Sequence, residues 1–238
     1  MRAANGVAVI IPTYNEAESI GGVVTGLPRD PVRRVIVADG GSTDHTVRIA
    51  RDLGAEIIDA GKGYGRACLL GAEAADDCDI LVFMDGDGAD DAGAIGSLVS
   101  PIRDNQYDFV IASRSRGERE PGSMAGHQIA AGFAAGVLIK VLYGVRYTDM
   151  CAFRAIRRST LLALGMREMT YGWNLEMQLR VARASLRVLE LPVAYRRRTG
   201  GKSKVAGNFS GSIKAGLRII ATFARVATEG APAGTSLS

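Results

Sequence analysis

The sequence is poor in the residues that build special scaffolds. It has three cysteines, Cys68, Cys78 and Cys151, with no CxxC spacing. That excludes a disulfide framework and a structural zinc site, and fits a reducing compartment. Aromatic residues make up only 6%, and no recognition motif accompanies them, so nucleic acid is not an expected partner. No stretch reaches the ~18 uncharged apolar residues that a membrane-spanning helix needs. The first residues lead into a run of only six apolar ones, Val7–Pro12, which reads as a strand rather than a signal peptide. Thirty glycines occur without a triplet period, which excludes collagen and points to many tight turns.

What is present is ordinary for a folded α/β chain: 238 residues, 47% hydrophobic and 23% charged. The net charge of +4 hides an asymmetry. Residues 1–139 hold 12 Lys and Arg against 20 Asp and Glu, and residues 140–238 hold 17 against 5. The acidic part suits a cation, and the basic part suits phosphates or an anionic membrane.

Short apolar runs alternate with helical patterns over the first 112 residues. Strands are predicted at Val7–Pro12, Val35–Ala38, Ala55–Ile58, Ile80–Met84 and Phe109–Ala112. Helices are predicted at Ala17–Leu27, Asp44–Leu53, from about Gly65 to Ala75, and near Asp91–Ile102. This is the signature of βαβ units and a mostly parallel sheet buried on both faces. Beyond Arg114 the pattern predicts helices at Met124–Leu142 and Tyr171–Ala184, a strand within Val188–Tyr195, a basic loop Arg196–Lys204 and an amphipathic helix Phe209–Ala227. That last helix carries Lys214, Arg218 and Arg225 near one side, and is expected to pack on the core or lie on a membrane. Residues 1–228 are expected to form one domain, with a disordered tail over 229–238.

In such sheets ligands sit beyond the carboxyl ends of the strands, and four of these ends carry polar chemistry. They are Pro12-Thr13-Tyr14-Asn15-Glu16, Asp39-Gly40-Gly41-Ser42-Thr43-Asp44, Gly61-Lys62-Gly63-Tyr64-Gly65 and Asp85-Gly86-Asp87-Gly88. Asp85-Gly86-Asp87 is the sharpest. Carboxylates at i and i+2 leaving a strand share a side, Gly86 permits close approach of a backbone or ligand, and two carboxylates with phosphate oxygens suit Mg2+ or Mn2+. Ser42 or Thr43 is the expected helix cap, which leaves Asp39 free for a base or ribose. Tyr14 reads as a stacking or packing residue, and Lys62 as a phosphate contact or a solvated charge. The segment from Gly61 to Arg66 does not satisfy GxGxxG and has no Walker context.

With these residues in view, VAVIIPTYNE, VADGGSTDHT, GKGYG, VFMDGDG, IASR, TDMCAFRA and GGKSK resemble a family 2 glycosyltransferase of GT-A fold. The second half resembles the dolichyl- and polyprenyl-phosphate sugar synthases. The likeness runs from about Val7 to Lys204. It implies a nucleotide-sugar-binding half over residues 7–112 and an acceptor half over 113–228. Pro12, Tyr14, Glu16, Asp39, Lys62, Asp85 and Gly86 would serve the nucleotide sugar, and Asp85 and Asp87 a divalent metal. Arg114, Arg198, Lys202 and Ser203 would receive the acceptor phosphate or clamp the diphosphate. Three positions depart from the pattern. Gly40 stands where relatives often have a second Asp. Ala89 stands where some have a polar metal ligand, leaving Asp90 or water to substitute. No arginine stands near His127 or Gln128.

The resemblance implies inverting transfer of a hexose from a UDP-glucose- or GDP-mannose-type donor to a polyprenyl phosphate by a peripheral enzyme on the cytoplasmic face of a membrane. A phosphate acceptor needs no general base, because a monoester is largely dianionic at neutral pH. A sugar hydroxyl acceptor needs one. For that alternative the candidates are Asp149 and, as a weaker one, Glu176, whose ordinary reading is the polar position of an amphipathic helix beside Trp173. The alternative role for Asp149 is to orient an arginine such as Arg154. A DxDx[TV] phosphatase is disfavoured because Ala89 takes the Thr/Val place. A sugar-nucleotide pyrophosphorylase would need a glycine- and arginine-rich loop after the first strand, and an inert sugar-nucleotide-binding module would not need both Asp85 and Asp87.

Overall fold

The computed structural model describes residues 6–200 and 221–229. Seven strands, β1 (Val7–Thr13), β2 (Val32–Asp39), β3 (Glu56–Asp59), β4 (Ile80–Phe83), β5 (Phe109–Ser113), β6 (Arg154–Arg157) and β7 (Val188–Pro192), form one sheet in the order β3-β2-β1-β4-β6-β5-β7. The helices are α1 (Ile20–Gly26), α2 (Thr46–Asp52), α3 (Tyr64–Ala74), α4 (Ile95–Arg103), α5 (Gly126–Tyr143), α6 (Arg158–Leu164) and α7 (Trp173–Arg183). The α/β, mostly parallel reading therefore holds. β1 and β4 are buried on both faces, with Val7–Ile11 and Leu81 and Val82 fully inaccessible. A strand covered on two sides needs the unbroken apolar runs seen at these positions.

β6 and α6 were not anticipated. β6 reads Arg-Ala-Ile-Arg, and its charged ends conceal a central strand. It is antiparallel to both neighbours, with Phe83 opposite Arg154 on one side and Ile111 opposite Arg154 on the other. Arg154 is completely buried without a carboxylate partner among the described residues. Its guanidinium donates to the carbonyls of Cys151, Ala152 and Asn174 and lies over the Phe109 ring. The reversal matters for function. The other six strands end at one rim, whereas β6 begins there, so residues 149–153 are delivered to the rim where β4 and β5 finish.

The last described segment, 221–229, is helical to residue 228 and packs on the core. Thr222, Phe223 and Val226 are buried. Glu176, fully buried on α7, corrects the expectation of an exposed polar position. Its carboxylate accepts the N–H groups of Arg167 and Glu168 and side-chain donors from Arg180 (2.9 Å) and Arg225 (2.8 Å). Burial alone would push the Glu176 carboxyl up, but the Glu168 N–H and the guanidinium groups of Arg225 and Arg180 hold it below the usual range. Arg225 is thus committed to the protein interior rather than to lipid phosphates. Lys214 and Arg218 lie outside the described residues. Glu229 pairs with Arg180 at 2.8 Å, so the expected tail does not begin there.

This network yields a prediction. Glu176→Ala removes the fully buried carboxylate that Arg180 and Arg225 share and leaves them only Glu229, so the loss should approach about 3–5 kcal/mol, the cost of breaking a buried pair. Chemical denaturation should show a loss of that order, and Glu176→Gln a smaller one.

Candidate active site

At the rim, Thr13, Asp39 and Ser42 form a closed turn. Asp39 accepts the Gly41 and Ser42 N–H groups and the hydroxyls of Ser42 and Thr13. It is therefore not left free, as the sequence suggested, but organises the loop after β2. Ser42 is spent on Asp39 and on the Asn15 N–H, and the start of α2 is served instead by Asp44, which accepts the Thr46 N–H at 3.0 Å. Pro12 is half-buried at the end of β1, Tyr14 is exposed, and Glu16 is buried with its N–H on Thr46 Oγ1 at 2.8 Å. Lys62 stands exposed in the turn before α3.

Beyond β4 lies the acidic turn. Gly86 is needed for packing against protein. A Cβ there would lie 2.9 Å from the Thr13 methyl, and its carbonyl accepts Ser19 Oγ at 2.8 Å. Asp85 is half-buried below Tyr64, whose hydroxyl is 3.4 Å from Oδ1. Asp87 and Asp90 are buried. Asp90 Oδ2 accepts the Asp85 N–H at 3.1 Å and so braces the turn. Among the described residues no three acidic, histidine or cysteine side chains converge as a metal cage. Asp90, which the sequence offers as a substitute ligand, supports the Asp85 backbone.

Three cationic or aromatic side chains complete the site. Arg198 donates to Asp87 Oδ2 from Nη2 (2.7 Å) and Nε (3.3 Å). Arg114, just past β5, forms a two-point pair with Asp149: Nε to Oδ2 is 2.8 Å and Nη2 to Oδ1 is 2.7 Å. Asp149 also accepts the Arg114 N–H, so the arginine it orients is Arg114 and not Arg154. The Tyr195 ring lies on the Arg114 guanidinium, 5.0 Å from its centroid. Below the pair, Glu190 of β7 accepts the N–H groups of Thr148 (2.9 Å) and Asp149 (3.2 Å). Tyr195 and Glu190 were missed by sequence reading, because their roles depend on β7 lying beside β5. Lys202 and Ser203 fall outside the described residues, as does the His127 side chain. Gln128 caps α5 by accepting the Ala125 N–H at 3.0 Å. Glu176 belongs to the α7 ion network described above and not to this cluster.

The acidic turn is electrostatically uncomfortable. Burial, followed by the Asp87 charge, pushes Asp85 up to about 6, and burial, followed by Asp85 and Asp87, pushes Asp90 to about 8. A carboxyl raised on folding stabilises the native state only while it is protonated. The cation-free chain should therefore lose stability as pH rises through this window. Melting temperatures in a chelator should fall from pH 5 to pH 8, and Asp90→Asn should flatten that slope.

Comparison with known proteins gives the family. The model of Glycosyl transferase family 2 matches residues 8–165. An uncharacterized glycosyltransferase of Mycobacterium tuberculosis is 36% identical over 215 residues, covering 89% of this chain and 94% of its own length. An undecaprenyl-phosphate mannosyltransferase of Micrococcus luteus is 31% identical, covering 86% and 89%. A dolichyl-phosphate hexose transferase of Haloferax volcanii is 32% identical, covering 82% and 84%. Among solved structures, glucosyl-3-phosphoglycerate synthase from Mycobacterium tuberculosis in complex with Mg2+ and UDP superposes with a TM-score of 0.73 at 20% identity, over 98% of this chain and 83% of that one. The chain belongs to glycosyl transferase family 2.

Proposed function

We propose that this glycosyltransferase moves a hexose, with inversion, from a nucleoside-diphosphate sugar to a polyprenyl phosphate, and that it works with Mg2+ or Mn2+. The observation that carries the acceptor is the state of Asp149. Both of its oxygens are engaged by Arg114, so it serves as the arginine's anchor and not as a general base. A hydroxyl acceptor would lack its base, whereas a phosphate monoester brings its own negative charge. Arg114, fixed at one edge by Asp149 and on one face by Tyr195, presents a preorganised guanidinium to such an anion. Two relatives that act on undecaprenyl and dolichyl phosphates by name support the same class.

Asp85 and Asp87 offer the hard oxygen donors a divalent ion prefers, with the donor's phosphate oxygens completing its shell. The M. tuberculosis glucosyl-3-phosphoglycerate synthase binds Mn2+ or Mg2+ together with UDP. When bound, the ion supplies Lewis-acid neutralisation of the leaving diphosphate. The remaining work falls to this chain. Asp39 holds the loop after β2 in shape, Pro12, Tyr14, Glu16 and Lys62 flank the nucleotide side, and Asp90 and Tyr64 brace Asp85. Arg114 receives the acceptor phosphate, and Arg198 adds positive charge on the diphosphate side. Its Nη1 is buried with no hydrogen-bond partner among the described residues, and an anion would satisfy it.

Helix α5 supports contact with a bilayer. Its outer face exposes Phe133, Val137, Leu138, Val141 and Leu142, with Val141 at 76%. No Asp or Glu occurs from residue 121 to 148, whereas Lys140 and Arg146 are exposed beside that face. Apolar side chains flanked only by cations suit an anionic membrane surface. A groove of about 440 Å3 lined by Phe133, Val137, Val141, Arg146 and Thr148, among others, runs along α5, and Thr148 adjoins Asp149. Among the described residues no helix is long and apolar enough to cross a membrane.

Radiolabelled sugar should pass from the donor to undecaprenyl phosphate and partition into organic solvent, and Asp85→Ala with Asp87→Ala should lower transfer at least about 100-fold. Label recovered only in a water-soluble product would overturn the lipid acceptor. Separately, Val141→Asp should reduce co-sedimentation with anionic vesicles several-fold while leaving binding of the soluble nucleotide unaltered.

A further inference from the structure

The segment from Tyr195 to Gly200 is strapped across the acidic turn. The Tyr195 backbone bridges to Asp90, the Arg196 N–H donates to the Ala89 carbonyl at 3.0 Å, and the Thr199 N–H donates to the Asp87 carbonyl at 3.0 Å. Gly88 has a left-handed φ of +78°, and a Cβ there would lie 2.5 Å from Thr199 Oγ1. Only glycine allows the two segments to close to this distance. At the far end Gly200 abuts Glu18, where a Cβ would lie 2.2 Å from Oε2. This pairing sets Arg198 on Asp87. One oxygen of that carboxylate, Oδ1, is held by the Ala89 N–H at 3.0 Å, and the other, Oδ2, takes both Arg198 donors. The oxygen that backbone bonding leaves available is therefore already occupied by a cation.

We infer that Arg198 is a stand-in cation: it neutralises Asp87 while no divalent ion is bound, and it surrenders Oδ2 when one arrives. The inference deepens the reading of Asp85 and Asp87 as the metal carboxylates, and it rests on that reading. A guanidinium and a divalent ion at one oxygen repel strongly in a site largely removed from water, and the two Arg198 donors take both in-plane lone-pair sites of Oδ2. Arg198 therefore antagonises the ion in the free chain. Once displaced, its Nε and Nη2 donors join the unpartnered Nη1 as sites for a phosphate oxygen. Ion binding and the readiness of Arg198 for an anion are thereby coupled through one carboxylate, so a divalent ion and a diphosphate should bind cooperatively.

The test is equilibrium Mn2+ binding to the full chain without nucleotide, with free Mn2+ counted by electron paramagnetic resonance. Arg198→Gln removes the competing charge and should tighten Mn2+ about ten-fold. Arg197→Gln should leave the Kd within about two-fold, because Arg197 bonds to Glu120 and the Pro121 carbonyl and not to the acidic turn. A Kd for Arg198→Gln equal to or weaker than that of the unaltered chain overturns the inference. Asp87→Asn should abolish Mn2+ binding, and undiminished affinity there would overturn the metal reading itself. Melting gives a second readout: Arg198→Gln should melt lower than the unaltered chain in chelator and gain more from Mn2+. Equal gains would also overturn the stand-in role.

Discussion

The site depends on one electrostatic constraint: three carboxylates, Asp85, Asp87 and Asp90, lie within six residues of a buried turn. Their mutual repulsion and poor solvation demand positive charge. Much of the surrounding architecture answers that demand. Tyr64 braces Asp85 from α3, the Asp85 N–H is tied to Asp90, and the strap lays Arg198 on Asp87. A turn arranged in this way is unfavourable unless positive charge lies beside it.

The second cluster, Arg114 with Asp149, meets the acidic turn at Tyr195. The Tyr195 backbone pairs with Asp90 while its ring face covers the guanidinium. Glu190, Ser113 and Thr148 fix the loop on the opposite side, with Ser113 Oγ 2.7 Å from Thr148 Oγ1. The arginine is held by groups that bond to it or to its anchor.

The strands and their polar rim were legible in the sequence for a physical reason. A strand buried on both faces must be an unbroken apolar run, and a loop leaving it must be polar, so VAVIIP and ILVFM announce both the strands and the rim chemistry after them. Asp85 and Asp87 could be found because their spacing is local. The part Asp39 plays in shaping the loop after β2 was not legible, since it comes from four donors that only the folded turn assembles. Glu176 was read as exposed because helical spacing does not reveal that residues 221–229 return to cover it. The exposed face of α5 was equally hidden, as the helix is apolar all round and only packing shows which side is left bare.

The sequence by itself determined the alternation of strands and helices, the rim and the paired acids, because each rests on contacts between near neighbours and on the burial that residue type enforces. The tertiary structure alone decided that β6 runs against its neighbours and delivers Asp149 to Arg114, and that Arg198, 111 residues along the chain from Asp87, closes on it. Those partners are set by strand order and loop path, and charge attraction between distant residues has no periodicity for a linear pattern to display.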